Sequence, residues 1–267
     1  MIMRTVFTII CLLAFIPSAS YGHAWLKLKI ATTEYAPYTS TDMQHGGYIN
    51  HIITDALLET GVQVEYVSMP WDEALEATLA GEYDALSYGN FVRFRESEFF
   101  HSKPISAESL VFYVNSENEI RTWSELSDIA DLKMGITEGY LYNDEIAAFI
   151  KNNENVVKRE SDQENFEALI NGDIDIFPID ELTGWYLLER EFTDAERDSV
   201  ALISPNISTV TTHLIVPKGR QNSQLVLSLF NKGIDELTLE GKLTRFKRLL
   251  KEGYYQHPQK KVHYDRR

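Results

Sequence analysis

The side chains with the most chemical reach in this sequence are one arginine, one aspartate and several aromatics beside expected strand ends. Arg95 carries a guanidinium, whose fixed fork of donors matches a carboxylate in two parallel hydrogen bonds. Glu96 and Glu98 offer the same side chain a surface ion pair instead. Asp180 stands just before a helix-like run from Glu181, so it either caps that helix or accepts from a positive ligand group. Tyr35, Tyr38 and Trp71 flank loops at strand ends. Such rings fill a core, stack on a ligand or hold an ammonium against their faces. Tyr38 reads as a ligand contact and Trp71 as core or cleft floor. His101 has no second histidine at metal spacing and reads as a packed residue, while His45 and His51 around Gly46-Gly47 make a weak metal pair. Asp180 and Glu181 are adjacent carboxylates, but neighbours at a helix start point apart, which argues against acid–base work. No catalytic residue and no metal ligand is assigned, and no cofactor is implied.

The elements that would position these groups show a repeat. Ala77 to Leu86 and Glu167 to Ile176 each contain a helix-like run, a Gly (Gly81, Gly172), an apolar residue, an Asp (Asp84, Asp175) and another apolar residue. Each copy reads as a helix stopped by a glycine cap and followed by a buried strand. Around the first copy lie expected strands at Leu26–Thr32, Val62–Val67 and Ala85, with helices at Tyr48–Thr60 and Trp71–Leu79. This alternation is a parallel α/β unit. After an apolar strand at Leu110–Asn115 the pattern restarts. It gives strands at Lys133–Thr137, Val156–Glu160 and Ile174–Ile179, with helices at Leu141–Asn152, Asp162–Asn171 and Leu182–Arg190. Ser208–Pro217 alternates once more, and Gln224–Leu250 holds two helices broken at Gly241. The chain thus leaves one lobe near Asn115 and returns near His213, a two-strand hinge of the kind that closes like a jaw. Ligands in open α/β sheets lie outside the carboxyl ends of strands, so two facing units imply a cleft between them.

Composition narrows the class. The chain has 267 residues, 44% apolar, with a formal charge of −15. An acidic body argues against nucleic acid as a partner, which requires clustered cations. Met1–Arg4 is basic, Thr5–Pro17 is mostly apolar and Ser18–Ala24 is rich in small residues, the order of a cleaved secretory leader ending near residue 23. The single cysteine, Cys11, falls inside that leader, so the mature chain carries no thiol and no disulfide. Export without disulfides points to a bacterial periplasm. Residues 256–267 are a basic tail, expected to be solvated and disordered.

Several segments, in order, carry a resemblance. They are Tyr35-Ala36-Pro37-Tyr38, Pro70-Trp71 with Gly81-Glu82-Tyr83-Asp84-Ala85, Arg95 through Ser102-Lys103-Pro104, Gly172-Asp173-Ile174-Asp175 with Asp180, and Leu237–Phe246. In these the chain resembles the family-3 periplasmic solute-binding proteins, the amino-acid binders of ABC importers, from about Leu26 to Tyr255. The resemblance implies an α/β, two-lobed periplasmic-binding-protein-like fold. Lobe one would be 24–112 with 213–255, and lobe two 113–212. It implies that Arg95 grips a ligand carboxylate and Asp180 its ammonium. The loop Glu138–Asn143, with Tyr140 and Tyr142, would offer backbone N–H groups at a helix start. Asn90, Tyr35, Tyr38 and Trp71 complete the expected ligand-binding set. Val92-Arg93-Phe94-Arg95 stands where the family has Thr-x-x-Arg, and His101 replaces an aromatic, which sets the chain apart from the well-defined amino-acid binders. The expected partners are a small ligand and an inner-membrane ABC permease, with the protein monomeric. The alternatives are an enzyme on the same scaffold, dehydratase-like, or a ligand-sensing module for a membrane receptor.

Overall fold

The computed structural model describes residues 26–91, 96–140 and 142–256. The expected leader, Cys11, Arg95 and tail residues 257–267 lie outside the described residues.

The first half is built on β1 (Leu26–Thr32), which pairs in parallel with β2 (Val62–Ser68) and with β3 (Ala85–Asn90). The crossovers are α1 (Tyr48–Glu59) and α2 (Trp71–Ala80). The short β4 (Phe99–His101) and the long β5 (Ser106–Asn115) follow. The second half repeats the scheme with β6 (Met134–Thr137), α3 (Asp144–Asn152), β7 (Val156–Arg159), α4 (Asp162–Ile170) and β8 (Ile176–Asp180). Next come α5 (Glu181–Glu191), α6 (Asp194–Asp198), β9 (Val200–Pro217), α7 (Ser223–Leu239) and α8 (Lys242–Lys251). The strands form one mixed sheet in the order β2-β1-β3-β9-β5-β8-β6-β7, with β4 on β9. Its centre is the antiparallel pair β5 and β9, which runs from Ser106↔Thr212 to Asn115↔Val200 and joins the halves.

Three element starts differ from the sequence reading. The central strands begin at Ser106 and Val200, where alternation alone placed them at Leu110 and Ser208. Ser106-Ala107-Glu108-Ser109 is too polar to read as strand, and Ser204-Pro205-Asn206 interrupts the alternation of β9. The interruption is real: the β5–β9 register shifts between Leu110 and Phe112. The freed carbonyls are taken up by Trp123, whose N–H donates to Ser204 O at 3.0 Å and whose Nε1 donates to Pro205 O at 2.8 Å. Helix α3 begins at Asp144 and not at Leu141, because Asn143 caps it by accepting from Ile146 N at 2.9 Å.

Apolar clusters lie on both faces of each half. In the first half Leu28, Ile30, Ile52 and Ile53 pack with Phe230, Ile234 and Phe246, and Ala31, Leu86, Phe99 and Ile215 fill the opposite face. In the second half Val111, Tyr113, Phe166 and Phe177 take one face and Phe112, Val114, Ile136 and Ile203 the other. Successive residues of β5 therefore serve different cores, as the pleat requires. The repeated Gly–Asp motif has one structural meaning in both copies. Gly81 (φ 85°) and Gly172 (φ 76°) turn in the left-handed region that ends each helix. Three residues on, Asp84 accepts from Lys29 N at 2.8 Å, midway along β1, and Asp175 accepts from Lys133 N at 2.8 Å, just before β6, latching each new strand to its parallel neighbour.

Candidate functional site

The loop after β1 is a tight turn closed by Tyr35 N→Thr39 O at 2.7 Å and Thr39 N→Tyr35 O at 2.9 Å. It rests on the N-terminus of α1, where Ile49 N donates to Tyr38 O at 2.9 Å. Gly47 makes that approach feasible: its φ is 95°, and a Cβ there would stand 2.5 Å from Tyr38 O. The turn therefore presents Tyr35 and Tyr38 inward. Their rings stack at 5.7 Å between centroids, and Tyr88 from β3 tilts against them at 5.1 and 5.9 Å. Tyr38 is 1% exposed.

Asp180 comes to this cluster from the other half, at the junction of β8 and α5. Of the two roles the sequence leaves open for Asp180, the structure shows the helix cap. Its Oδ1 caps α5 by accepting from Thr183 N at 2.9 Å and also accepts from Tyr38 OH at 2.9 Å. Its Oδ2 is buried with no hydrogen-bond partner. Burial holds this carboxyl above the usual carboxylate range.

Glu108 is the group the sequence reading missed. It lies on β5, 3% exposed, and accepts from Tyr88 OH and from Thr212 Oγ1 of β9. Because Leu110 pairs with Asp180, Glu108 is the diagonal neighbour of Asp180 on the same face of the sheet, with Cα atoms about 7–8 Å apart. Desolvation pushes its carboxyl up to about 8, and the charge of Asp180 adds to the shift. The tyrosine hydroxyls are held protonated, far above their ordinary range, by burial first and then by the acids, both of them for Tyr35 and Tyr38 and Glu108 for Tyr88.

The remaining expected residues distribute as follows. Tyr140 meets Tyr35 hydroxyl to hydroxyl across the halves. Tyr142 packs near it, 5.7 Å between ring centroids, with a buried hydroxyl that has no hydrogen-bond partner. Asn90 ends β3 with Oδ1 3.4 Å from Thr212 Oγ1. Trp71 opens α2 and packs against both apolar clusters of the first half. Arg95 lies outside the described residues, in the passage between Phe91 and Glu96. Ser102 of the Ser-x-Pro segment is a clamp on β9: it donates N–H to Leu214 O and accepts from Leu214 N, both at 3.0 Å. His45 and His51 stack at 3.9 Å and pair with the hydroxyls of Tyr254 and Tyr255. Among the described residues no group of three or more His, Cys, Asp or Glu is arranged to hold a metal.

The cluster draws on three sources: Tyr35, Tyr38 and Tyr88 from one half, Tyr140 and Asp180 from the other, Glu108 and Thr212 from the central strands. It offers buried carboxyl acceptors, aromatic rings and hydroxyl donors, the kinds of group that hold a small polar ligand.

The chain matches the Bacterial extracellular solute-binding proteins, family 3, over residues 28–250. Among solved structures it is similar to a histidine kinase sensor domain with similarity to periplasmic binding proteins. The TM-score is 0.67 at 17% identity, over 83% of this chain and 94% of that one. It is similar to an amino acid ABC transporter substrate-binding protein from Streptococcus pneumoniae bound to L-arginine. There the TM-score is 0.66 at 19% identity, over 86% and 96%. It is also similar to the L-cystine solute receptor of Neisseria gonorrhoeae in its unliganded open conformation, with TM-score 0.64 and 22% identity over 89% and 96%. At these identities the likeness is one of fold. No curated protein matches the sequence at a significant level.

Proposed function

The chain belongs to the bacterial extracellular solute-binding proteins of family 3, and from that premise we propose that it captures a small amino-acid-like ligand between its lobes for import. The observation that carries this reading is Asp180, buried with Oδ2 unpartnered at the meeting of the halves, where a ligand ammonium completes its coordination. A buried acceptor left without a donor costs stability until a ligand supplies one. Tyr35, Tyr38 and Tyr88 surround this position, Trp71 floors the cleft, and Tyr140 with Tyr142 closes it from the second half. Asn90 marks the strand end from which the chain passes to Arg95, the proposed partner of the ligand carboxylate.

In this reading lobe one is 24–112 with 213–255 and lobe two is 113–212. The ligand touches both and stabilises the closed state in proportion to its preference for it. The leader directs export to the periplasm, and the closed, monomeric protein delivers its ligand to an inner-membrane ABC permease without chemistry of its own.

The test is a thermal-shift screen over the common L-amino acids and their amines, followed by calorimetry on the best. A true ligand raises the melting point by mass action. Arg95→Ala then lowers affinity roughly a hundredfold or more, since an anion left buried without its partner costs on the order of 3–5 kcal/mol. Unchanged affinity in that variant removes Arg95 from the site.

A further inference from the structure

Glu108 is a carboxyl buried between the central strands, hydrogen-bonded among the described residues only to hydroxyls. A carboxylate among apolar strands is expensive to bury, and one that is buried is paired or neutralised. The groups that face it are Tyr88 and Asn90 from β3, Thr212 from β9, Tyr35 and Tyr38 from the first loop, Tyr48 from α1 and Asp180 from the end of β8. All of them are neutral or acidic, and no cation among the described residues pairs with it. Among the described residues nothing but a proton offsets its charge, and burial raises its carboxyl to about 8.

Asp180 repeats the situation one pleat away, with a free Oδ2. A single ammonium satisfies one of these acids and leaves the other without a counter-charge. Tyr38 reaches Asp180 and Tyr88 reaches Glu108 through their hydroxyls, and with Tyr35 the three rings pack at 5.1 to 5.9 Å, an aromatic cluster of the kind that accepts a cation or an alkyl spacer.

We propose that Glu108 is a second cation-binding group of the cleft, so that the ligand carries two positive groups, one for Asp180 and one for Glu108. This rests on the reading of the cleft as a ligand site given above. The ligand class is then an amino acid with a basic side chain, or a diamine. Entry of the second positive group displaces the proton of Glu108, so binding releases a proton at neutral pH.

Calorimetry on the mature protein at pH 7.5, with matched pairs of probes, tests this. The pairs are L-arginine against L-citrulline and L-lysine against L-norleucine, with cadaverine as a dication lacking a carboxylate. The expected result is binding of the charged member at least about a hundredfold tighter than its neutral partner. In Glu108→Gln that ratio drops below about tenfold, because the second counter-charge is gone. Repeating the titration in buffers of different ionisation enthalpy reads the released proton in the wild type. Equal affinity for the charged and neutral members overturns the proposal and leaves the amino-acid reading standing. Binding of cadaverine as tight as lysine, with the same dependence on Glu108, supports the second cation site and overturns the carboxylate role given to Arg95. Failure of every charged probe to bind overturns the proposal. The wild-type ratios decide the matter even where Glu108→Gln does not fold.

Discussion

Glu108 and Asp180 couple the empty protein's stability to pH in a direction opposite to that of most surface carboxylates. The ordinary Glu value is 4.5, and burial raises Glu108 to about 8. Between those values the folded chain holds a proton that the unfolded chain has lost. Unfolding therefore releases a proton, and the stabilisation present below about pH 4.5 is lost as pH rises toward 8. Asp180, also raised by burial, acts in the same direction. The melting temperature of the ligand-free protein should fall across this window, and Glu108→Gln should flatten the fall. Parallel curves for the two proteins would show that Glu108 does not titrate there. Asp180 can be dissected separately. Asn caps a helix about as well as Asp, so Asp180→Asn should change the melting point little, while its lost charge should weaken ligand binding by about tenfold or more. The sequence made Asp180 and Tyr38 visible because each sits at a boundary where a role can be named. Glu108 offered no such signal, since a glutamate between serines reads as loop and only the pairing of β5 with β8 and β9 turns it inward.

The doubled Gly–Asp turn was legible as a repeat, and its elements fall where the glycine caps put them. What spacing alone did not reveal is the target of each aspartate: a backbone N–H of the neighbouring parallel strand or of the residue just before it, at Lys29 in one half and Lys133 in the other. A hydrogen bond from backbone N–H to a carboxylate contributes about 1.5–3 kcal/mol, less where water competes. Asp175→Ala should therefore cost about 1–2 kcal/mol in a urea melt, with ligand affinity unchanged because the turn lies at the end of the sheet away from Asp180. Helix packing gives a sharper case. At Gly233 of α7 a Cβ would stand 1.8 Å from Ala56 O of α1, so the two helices meet on bare backbone. Gly233→Val should destabilise by about 3 kcal/mol or more, read as a lower midpoint in the same melt. The apolar stripe of α7 announced a buried face but not how near its neighbour would come, because periodicity carries direction and no distance.

At the scale of the molecule, the contacts Tyr38–Asp180 and Tyr35–Tyr140 span the halves, while among the described residues β5 and β9 carry the backbone through the middle of the sheet. Few covalent paths and a handful of polar contacts favour rotation of one half against the other. Small-angle scattering should show a smaller radius of gyration at saturating ligand than without it, and an unchanged radius would remove closure from the mechanism.

The route of β9 bears on the order in which the chain assembles. The strand returns from the second half to pair with β3 and β4, and α7 then packs on α1. The half that is synthesised first is thus completed by residues synthesised last, whereas the stretch between β5 and β9 is continuous. Pairings between distant segments form slowly, because the intervening chain must first be brought together. Strand β3 consequently lacks β9 along one edge, and α1 lacks α7 on its outer face, until almost the whole polypeptide has been synthesised.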